Sequence, residues 1–362
     1  MTKIKLLLLL TGKFIMKILI IQQKMIGDVL ICSLLCENII KWNPQAKIDF
    51  IANTHTLPVL NNNPHINKII VFGDHFKNDK KSFYNFLNDQ RKNKYDIVID
   101  AYGKIESVLT SWLTPSPIKI GYKKWYTNWV YSISVERQLN KLKDDIQLSI
   151  KNRIKLLIPI IGKNFNYIYK PKIYLDDYEK ENAKAVLINR RKSPLLMISA
   201  LGSSKLKTYP IEKMSFVLDY IVSKYDAQLI LNYMPNQREE ILLLHNKIKL
   251  KTKQALLFKK SPGTLREYIS IVSCCDAIIG NEGGAINIAK SLDIPSFAIF
   301  SPQINPEAWN TSSQTQIGVH VKNYNKNFKG FKLNSKQIIC LYDSFEFDYF
   351  KDELSIFMNR LK

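Results

Sequence analysis

Short apolar runs of four or five residues, each followed by a helical stretch, recur along nearly the whole chain, and this rhythm restricts the fold more than any other feature. Parallel strands need crossover connections, so the alternation reads as βαβ units in parallel sheets. In the first half the runs are Ile18–Ile21, Ile48–Ala52, Lys68–Phe72, Ile97–Asp100 and Ile118–Gly121, with helices near Asp28–Lys41, Ser82–Arg91 and Ile105–Leu113 between them. A helix over Asp144–Ile161 ends at Gly162, and the aromatic, basic stretch Asn164–Lys172 reads as a connection. A second cycle follows. Helices Asp176–Arg191, Ile211–Lys224, Gln237–Lys247, Thr264–Cys274 and Gly284–Leu292 interleave with strands Leu195–Ser199, Gln228–Asn232, Ala255–Phe258, Ala277–Ile279 and Ser296–Phe300. The expected fold is α/β, with two Rossmann-like halves facing a cleft.

Two strand-to-helix junctions carry chemistry. Ala277–Ile279 runs through Glu282 into the pair Gly283 and Gly284, which opens a helix. Glycines let a phosphate approach the backbone, and a helix amino end presents free N–H groups to it. In the first half, Ile18–Gln22 leads through Lys24 to Ile26-Gly27-Asp28, which puts Asp28 at the carboxyl edge of the first strand. A carboxylate there can accept a proton from a bound hydroxyl. Plainer readings stay open, a strain-relieving turn for the glycines and a helix N-cap for Asp28.

A chain of 362 residues with 46% apolar content has material for two cores. Its five cysteines (Cys32, Cys36, Cys274, Cys275, Cys340) form no ligand spacing and read as small core residues. The net charge of +22 is concentrated in the first half, where residues 1–175 hold 27 Lys+Arg against 12 Asp+Glu. Such an excess suits an anionic membrane surface or an acidic substrate, while no nucleic-acid-binding motif accompanies it. Leu6–Leu10 is too short to span a bilayer, so residues 1–15 read as a dispensable extension. The segment GYKKWYTNWVY, residues 121–131, combines Trp, Tyr and Lys as a membrane-facing patch would.

Three pieces together, MKILIIQQKMIGDVL, SALGSSKLKTYPIEK and IIGNEGGAINIAKSLDIPSFAIFSP, resemble the signature regions of the heptosyltransferase-type glycosyltransferases, family 9, over about residues 16–320. The resemblance implies a glycosyltransferase-B architecture and inverting transfer of a heptose from ADP-heptose to a lipopolysaccharide or lipooligosaccharide core acceptor, with no metal and no cofactor. It makes Asp28 the general base and Lys207 the neutraliser of the leaving phosphate. Gly202, Ser203, Ser204 and Lys207, with Glu282, Gly283, Gly284 and Asn287, would bind the nucleotide sugar; Lys24, Gly27, Gly103 and Lys104 would line the acceptor side. Lys123, Lys124 and Arg153 are further candidates for acceptor phosphates or carboxylates.

Departures are local. Glu282 replaces the family's Asp, Asn287 its common His and Tyr102 a Gln, and the ribose-binding acid in Asn232–Glu240 is not identified. The implied organisation is an acceptor domain over 16–163, a linker over 164–175, a nucleotide-sugar domain over 176–335 and a helical segment over 336–362. Partners would be the donor and a lipid-linked core oligosaccharide. The location would be cytoplasmic, peripheral on the inner membrane face. Two alternatives stay open: the same scaffold with another nucleotide sugar, and a catalytically silent sugar-nucleotide or lipid-binding protein.

Overall fold

The computed structural model describes residues 15–127, 129–139, 146–188, 190–257, 262–311, 313–326, 328 and 330–361. The expected amino-terminal extension, apart from Ile15, lies outside these residues. The chain forms two compact units that divide between Tyr174 and Leu175.

Unit 1 contains β1 (Lys17–Ile21), α1 (Ile26–Trp42), β2 (Lys47–Asn53), β3 (Lys68–Phe72), α2 (Lys80–Lys92), β4 (Ile97–Asp100), α3 (Ile105–Leu113), β5 (Ile118–Tyr122), β6 (Ile133–Val135), α4 (Leu148–Lys155) and α5 (Ile158–Ile161). Its six strands are all parallel, in the order β3-β2-β1-β4-β5-β6. β1 and β4 are apolar runs buried on both faces, as central parallel strands must be. Helix α1 is buried around most of its circumference, with Cys32 and Cys36 inside. Residues 164–174 run along it: the Asn38 amide donates to the Ile168 carbonyl at 2.9 Å and accepts the Ile168 N–H at 2.8 Å.

Unit 2 contains α6 (Asp177–Val186), β7 (Leu195–Ser199), α7 (Ile211–Tyr225), β8 (Gln228–Leu231), α8 (Arg238–Lys247), α9 (Leu250–Gln254), α10 (Leu265–Val272), β9 (Ala277–Asn281), α11 (Gly284–Ser291), β10 (Ser296–Ile299), β11 (Gln316–Val319), α12 (Ser335–Asp343) and α13 (Lys351–Asn359). Its five parallel strands run β11-β10-β9-β7-β8. The last two helices close the same core: Ile338, Tyr342, Leu354, Phe357 and Met358 join the cluster that covers the sheet.

Four expectations are corrected. The long helix before Gly162 is two pieces, α4 and α5. Pro159 has no N–H to donate, and its ring would meet the Lys155 carbonyl, where α4 ends. The strand expected over Ala255–Phe258 is a single bridge, Leu256 to Leu229, because Ala255 still caps α9; Phe258 lies outside the described residues. Edge strands β6 and β11, three and four residues long, add to the strands read from the sequence. Cys340 is exposed and Cys274 half-buried, so only three cysteines are core residues.

Candidate functional site

In an open parallel sheet, ligands bind outside the carboxyl ends of the strands where the strand order reverses. In unit 1 the reversal lies between β1 and β4, and in unit 2 between β7 and β9. Both junctions singled out in the sequence stand at these two places.

In unit 1, Met25 caps α1 without a side-chain bond, so Asp28 is a third helical residue, not an N-cap. Met25 itself has φ 66°, a sparsely populated conformation for a side chain of that size. Asp28 is 31% exposed, and its Oδ1 accepts a hydrogen bond from Arg153 Nη2 at 2.9 Å. The same Nη2 donates to Gln22 Oε1 at 3.0 Å, and Nη1 to the Tyr122 hydroxyl at 3.1 Å. Tyr122 is held in turn by the Asn152 carbonyl at 2.9 Å, and Arg137 stacks 4.0 Å over its ring. One carboxylate oxygen of Asp28 is thus fixed by a planar guanidinium from α4, and Oδ2 takes no hydrogen bond from a described residue. Beneath Asp28, burial pushes the Cys32 thiol up to about 12, so it stays protonated and inert.

Asp100 shapes the facing loop. It is fully buried, accepts the N–H groups of Tyr102 (3.0 Å) and Gly103 (2.8 Å), and takes the Tyr131 hydroxyl at 2.7 Å. Burial raises its pKa, and these donors pull the other way. Gly103, at φ 62°, carries the turn into α3. The Tyr102 phenol is raised by burial and then by the carboxylates of Glu106, Asp28 and Asp100. Lys24 and Gly27 belong to the β1–α1 loop and first turn, and Lys104 is exposed at the head of α3. The other basic candidates already have partners, Lys123 in an ion pair at the surface. Lys123 pairs with Glu136 at 2.8 Å, Lys124 donates to the Gly103 carbonyl, and the buried Arg153 serves Asp28.

In unit 2, Asn281 joins the two loops. Its Oδ1 accepts the Tyr209 N–H at 2.6 Å, and its Nδ2 donates to the carbonyls of Ala200 (2.7 Å) and Ser199 (3.1 Å). The loop between is folded tightly on itself: the Gly202 N–H donates to Thr208 Oγ1 at 3.0 Å, and a Cβ at Gly202 would stand 2.2 Å from the Lys207 carbonyl oxygen. Ser301 Oγ holds the Leu206 carbonyl at 2.7 Å, and Gln237 Nε2 the Gly202 carbonyl at 2.8 Å. Ser203 and Ser204 are exposed, Lys205 is exposed, and Lys207 is half-buried with no side-chain partner among the described residues.

Across the reversal, Gly283 caps α11, and nothing lies within 4 Å of where its Cβ would be. The amino end of an eight-residue helix therefore opens beside the serine loop. Asn287 is buried and spends one N–H on the Gly283 carbonyl at 3.0 Å, stiffening that turn. Glu282 is buried. Lys290, lowered to about 8 by burial despite Glu282, bonds the Trp309 carbonyl at 2.8 Å and Asn310 Oδ1 at 3.0 Å. Behind the Ser301 loop, His320 is fully buried and accepts the Lys322 N–H on Nδ1 at 2.9 Å, with Nε2 3.3 Å from the Pro302 carbonyl. Burial lowers it to about 4, so it is neutral.

The profile of glycosyltransferase family 9 (heptosyltransferase) matches residues 84–337, more than two thirds of the chain. Lipopolysaccharide heptosyltransferase 1 of Campylobacter coli is 24% identical over 296 residues, covering 79% of this chain and 84% of that protein. A glycosyltransferase family 9 structure from Veillonella parvula DSM 2008 matches with a TM-score of 0.73 at 16% identity, over 91% of this chain and 96% of that one. The ADP-heptose lipopolysaccharide heptosyltransferase II of E. coli matches with a TM-score of 0.71 at 16% identity, over 95% and 99%. The fold is that of the glycosyltransferase-B enzymes. This chain belongs to glycosyltransferase family 9, the heptosyltransferase family.

Proposed function

We propose that this glycosyltransferase moves a heptose from ADP-heptose to a lipopolysaccharide or lipooligosaccharide core acceptor, with inversion and without a metal. Unit 1 holds the acceptor and unit 2 the donor in this reading. The observation that carries it is Asp28, whose Oδ1 is fixed by Arg153 while Oδ2 is left for a substrate. The acceptor hydroxyl gives its proton to Asp28 as its oxygen bonds to the anomeric carbon. The bond from that carbon to the diphosphate oxygen breaks on the opposite face, and its electron pair leaves with ADP. The ammonium of Lys207, the hydroxyls of Ser203 and Ser204 and the N–H groups beyond Gly283 offset the charge that grows on the leaving diphosphate. Lipopolysaccharide heptosyltransferase 1 of C. coli and WaaC of E. coli, whose structure is known with ADP (TM-score 0.64), support this choice of donor and acceptor.

The test is Asp28→Asn, which keeps the shape but not the proton acceptance. Turnover should fall by about 10²- to 10⁴-fold, with the affinity for ADP unchanged by calorimetry. A folded variant that turns over within about threefold of the parent, well short of that loss, would remove Asp28 from the chemistry.

A further inference from the structure

Three of the five tryptophans lie together on the surface of unit 1. Trp125 is 91% exposed, Trp129 63% and Trp112 49%. The rings of Trp112 and Trp129 meet edge to face at 5.5 Å, Trp125 packs on Tyr126 at 5.4 Å, and Trp129 Nε1 donates to the Tyr126 carbonyl at 3.0 Å. Ile105, 68% exposed, stands seven residues before Trp112 in α3, two turns away on the same face. The Tyr126 hydroxyl reaches the Gly103 carbonyl at 3.3 Å, which ties the head of α3 to this ridge. Trp129 is thus fixed by the Tyr126 carbonyl, Trp112 and Trp125 rest on neighbouring rings, and all three present apolar surface to water.

An apolar ridge of this size on a surface marks something that covers it. The charge around it chooses the occupant. Lys119 donates to the Trp112 carbonyl at 2.7 Å, the Lys124 ammonium lies 5.5 Å from the Tyr126 ring, and exposed Lys104 precedes Ile105. Unit 1 as a whole is strongly basic. A second copy would bring two such faces together against their own repulsion, whereas an anionic bilayer complements them. Indoles suit the headgroup level, where one edge is apolar and the N–H is wet. Among the described residues no helix is long and apolar enough to cross a membrane. We propose that the Trp112–Trp125–Trp129 ridge docks on an anionic lipid surface, its indoles among the headgroups and the net positive charge of unit 1, exposed Lys104 foremost, drawn to their phosphates. The Gly103 turn belongs to the loop that faces Asp28, so docking brings the unit 1 site to the lipid.

The experiment is flotation of the full chain with phosphatidylcholine vesicles, with and without phosphatidylglycerol, at low and high salt. Binding should require phosphatidylglycerol and weaken as the Debye length falls from about 10 Å at 0.1 M to about 3 Å at 1 M. Trp125→Ala/Trp129→Ala should lower the partition coefficient by about tenfold or more for each indole, with circular dichroism and melting temperature unchanged. Tryptophan emission of the parent should shift to the blue on vesicles, and the double variant should lose most of that shift. Equal binding by parent and double variant, or binding that ignores phosphatidylglycerol, would overturn the proposal. So would a dimer in sedimentation that the double substitution dissolves, because the cover would then be a second copy.

Discussion

Asn281 offers the sharpest structural test of the proposed phosphate site. Its amide, buried at the end of β9, makes three hydrogen bonds to the β7 loop. Asn281→Ala removes all three and leaves the buried Tyr209 N–H without an acceptor. One orphaned buried donor costs about 1–3 kcal/mol, and each lost bond to a carbonyl about 1 kcal/mol net, so the expected loss of stability is about 3–5 kcal/mol. Asn281→Asp should be instructive. Its oxygen still accepts from Tyr209, yet a buried carboxylate faces the carbonyls of Ser199 and Ala200 and cannot donate to them. It should be as damaging as alanine at neutral pH and recover as acid protonates it, because the acid form donates again. Urea unfolding followed by circular dichroism gives the stability, and hydrogen exchange of the 200–210 segment shows whether the Tyr209 amide opens. ADP affinity should fall with it, since Asn281 sets the register of the Gly202–Lys207 loop. An Asn281→Ala protein that loses under about 1 kcal/mol and keeps Tyr209 protected would refute the linkage, leaving Thr208, Gln237 and Ser301 to hold the loop.

The remaining predictions use the same fold. Lys207→Ala should weaken ADP binding about tenfold or more, the worth of one charge-assisted bond to phosphate, and the exposed Lys205→Ala should change it little. Equal losses by calorimetry would break the assignment. Arg153→Met frees Asp28 to reorient, so kcat should drop by roughly 10- to 100-fold while ADP affinity holds, and Arg153→Lys should recover part of the loss; an unchanged kcat would show that the pair only stabilises. His320 binds its proton near pH 4 folded and near 6.5 unfolded. The unfolded state therefore takes up the proton first as pH falls, and stability should drop between about pH 6.5 and 4 by up to about 3 kcal/mol. His320→Gln should flatten that part of the profile, and an identical slope in urea titrations would count against it.

Most strands are legible because central parallel strands are nearly unbroken apolar runs, a pattern that needs no tertiary knowledge. The edge strands Ile133–Val135 and Gln316–Val319 are not, since three or four residues carry too little pattern to separate them from a loop. Pro159 did carry a signal, a helix break that amphipathic periodicity alone overrides. In the site, the glycines and Asp28 stood out through their strand-edge positions. Arg153 is 125 residues from Asp28 in the chain, and no local spacing predicts that pair. Asn281 had a weak cue, a polar residue ending an apolar strand just before Glu282. The lysines near Gly121 misled for a general reason: sequence shows charge but not whether a carboxylate or carbonyl already holds it, as Glu136 holds Lys123 and Gly103 holds Lys124.

The strand orders also dictate how the chain must be made. In each unit the first strand of the sheet to leave the ribosome, β1 or β7, ends with a neighbour on both sides, and it pairs early on one side with β2 or β8. Its other side stays open until Ile97–Asp100 or Ala277–Asn281 has been synthesised, some eighty residues later in both cases. For that interval an apolar strand presents a row of unpaired N–H and C=O groups, the kind of edge that recruits another chain. The nascent protein is thus most exposed to aggregation twice, once before each reversal closes, and the sites described above come into being at the moments when those two windows shut.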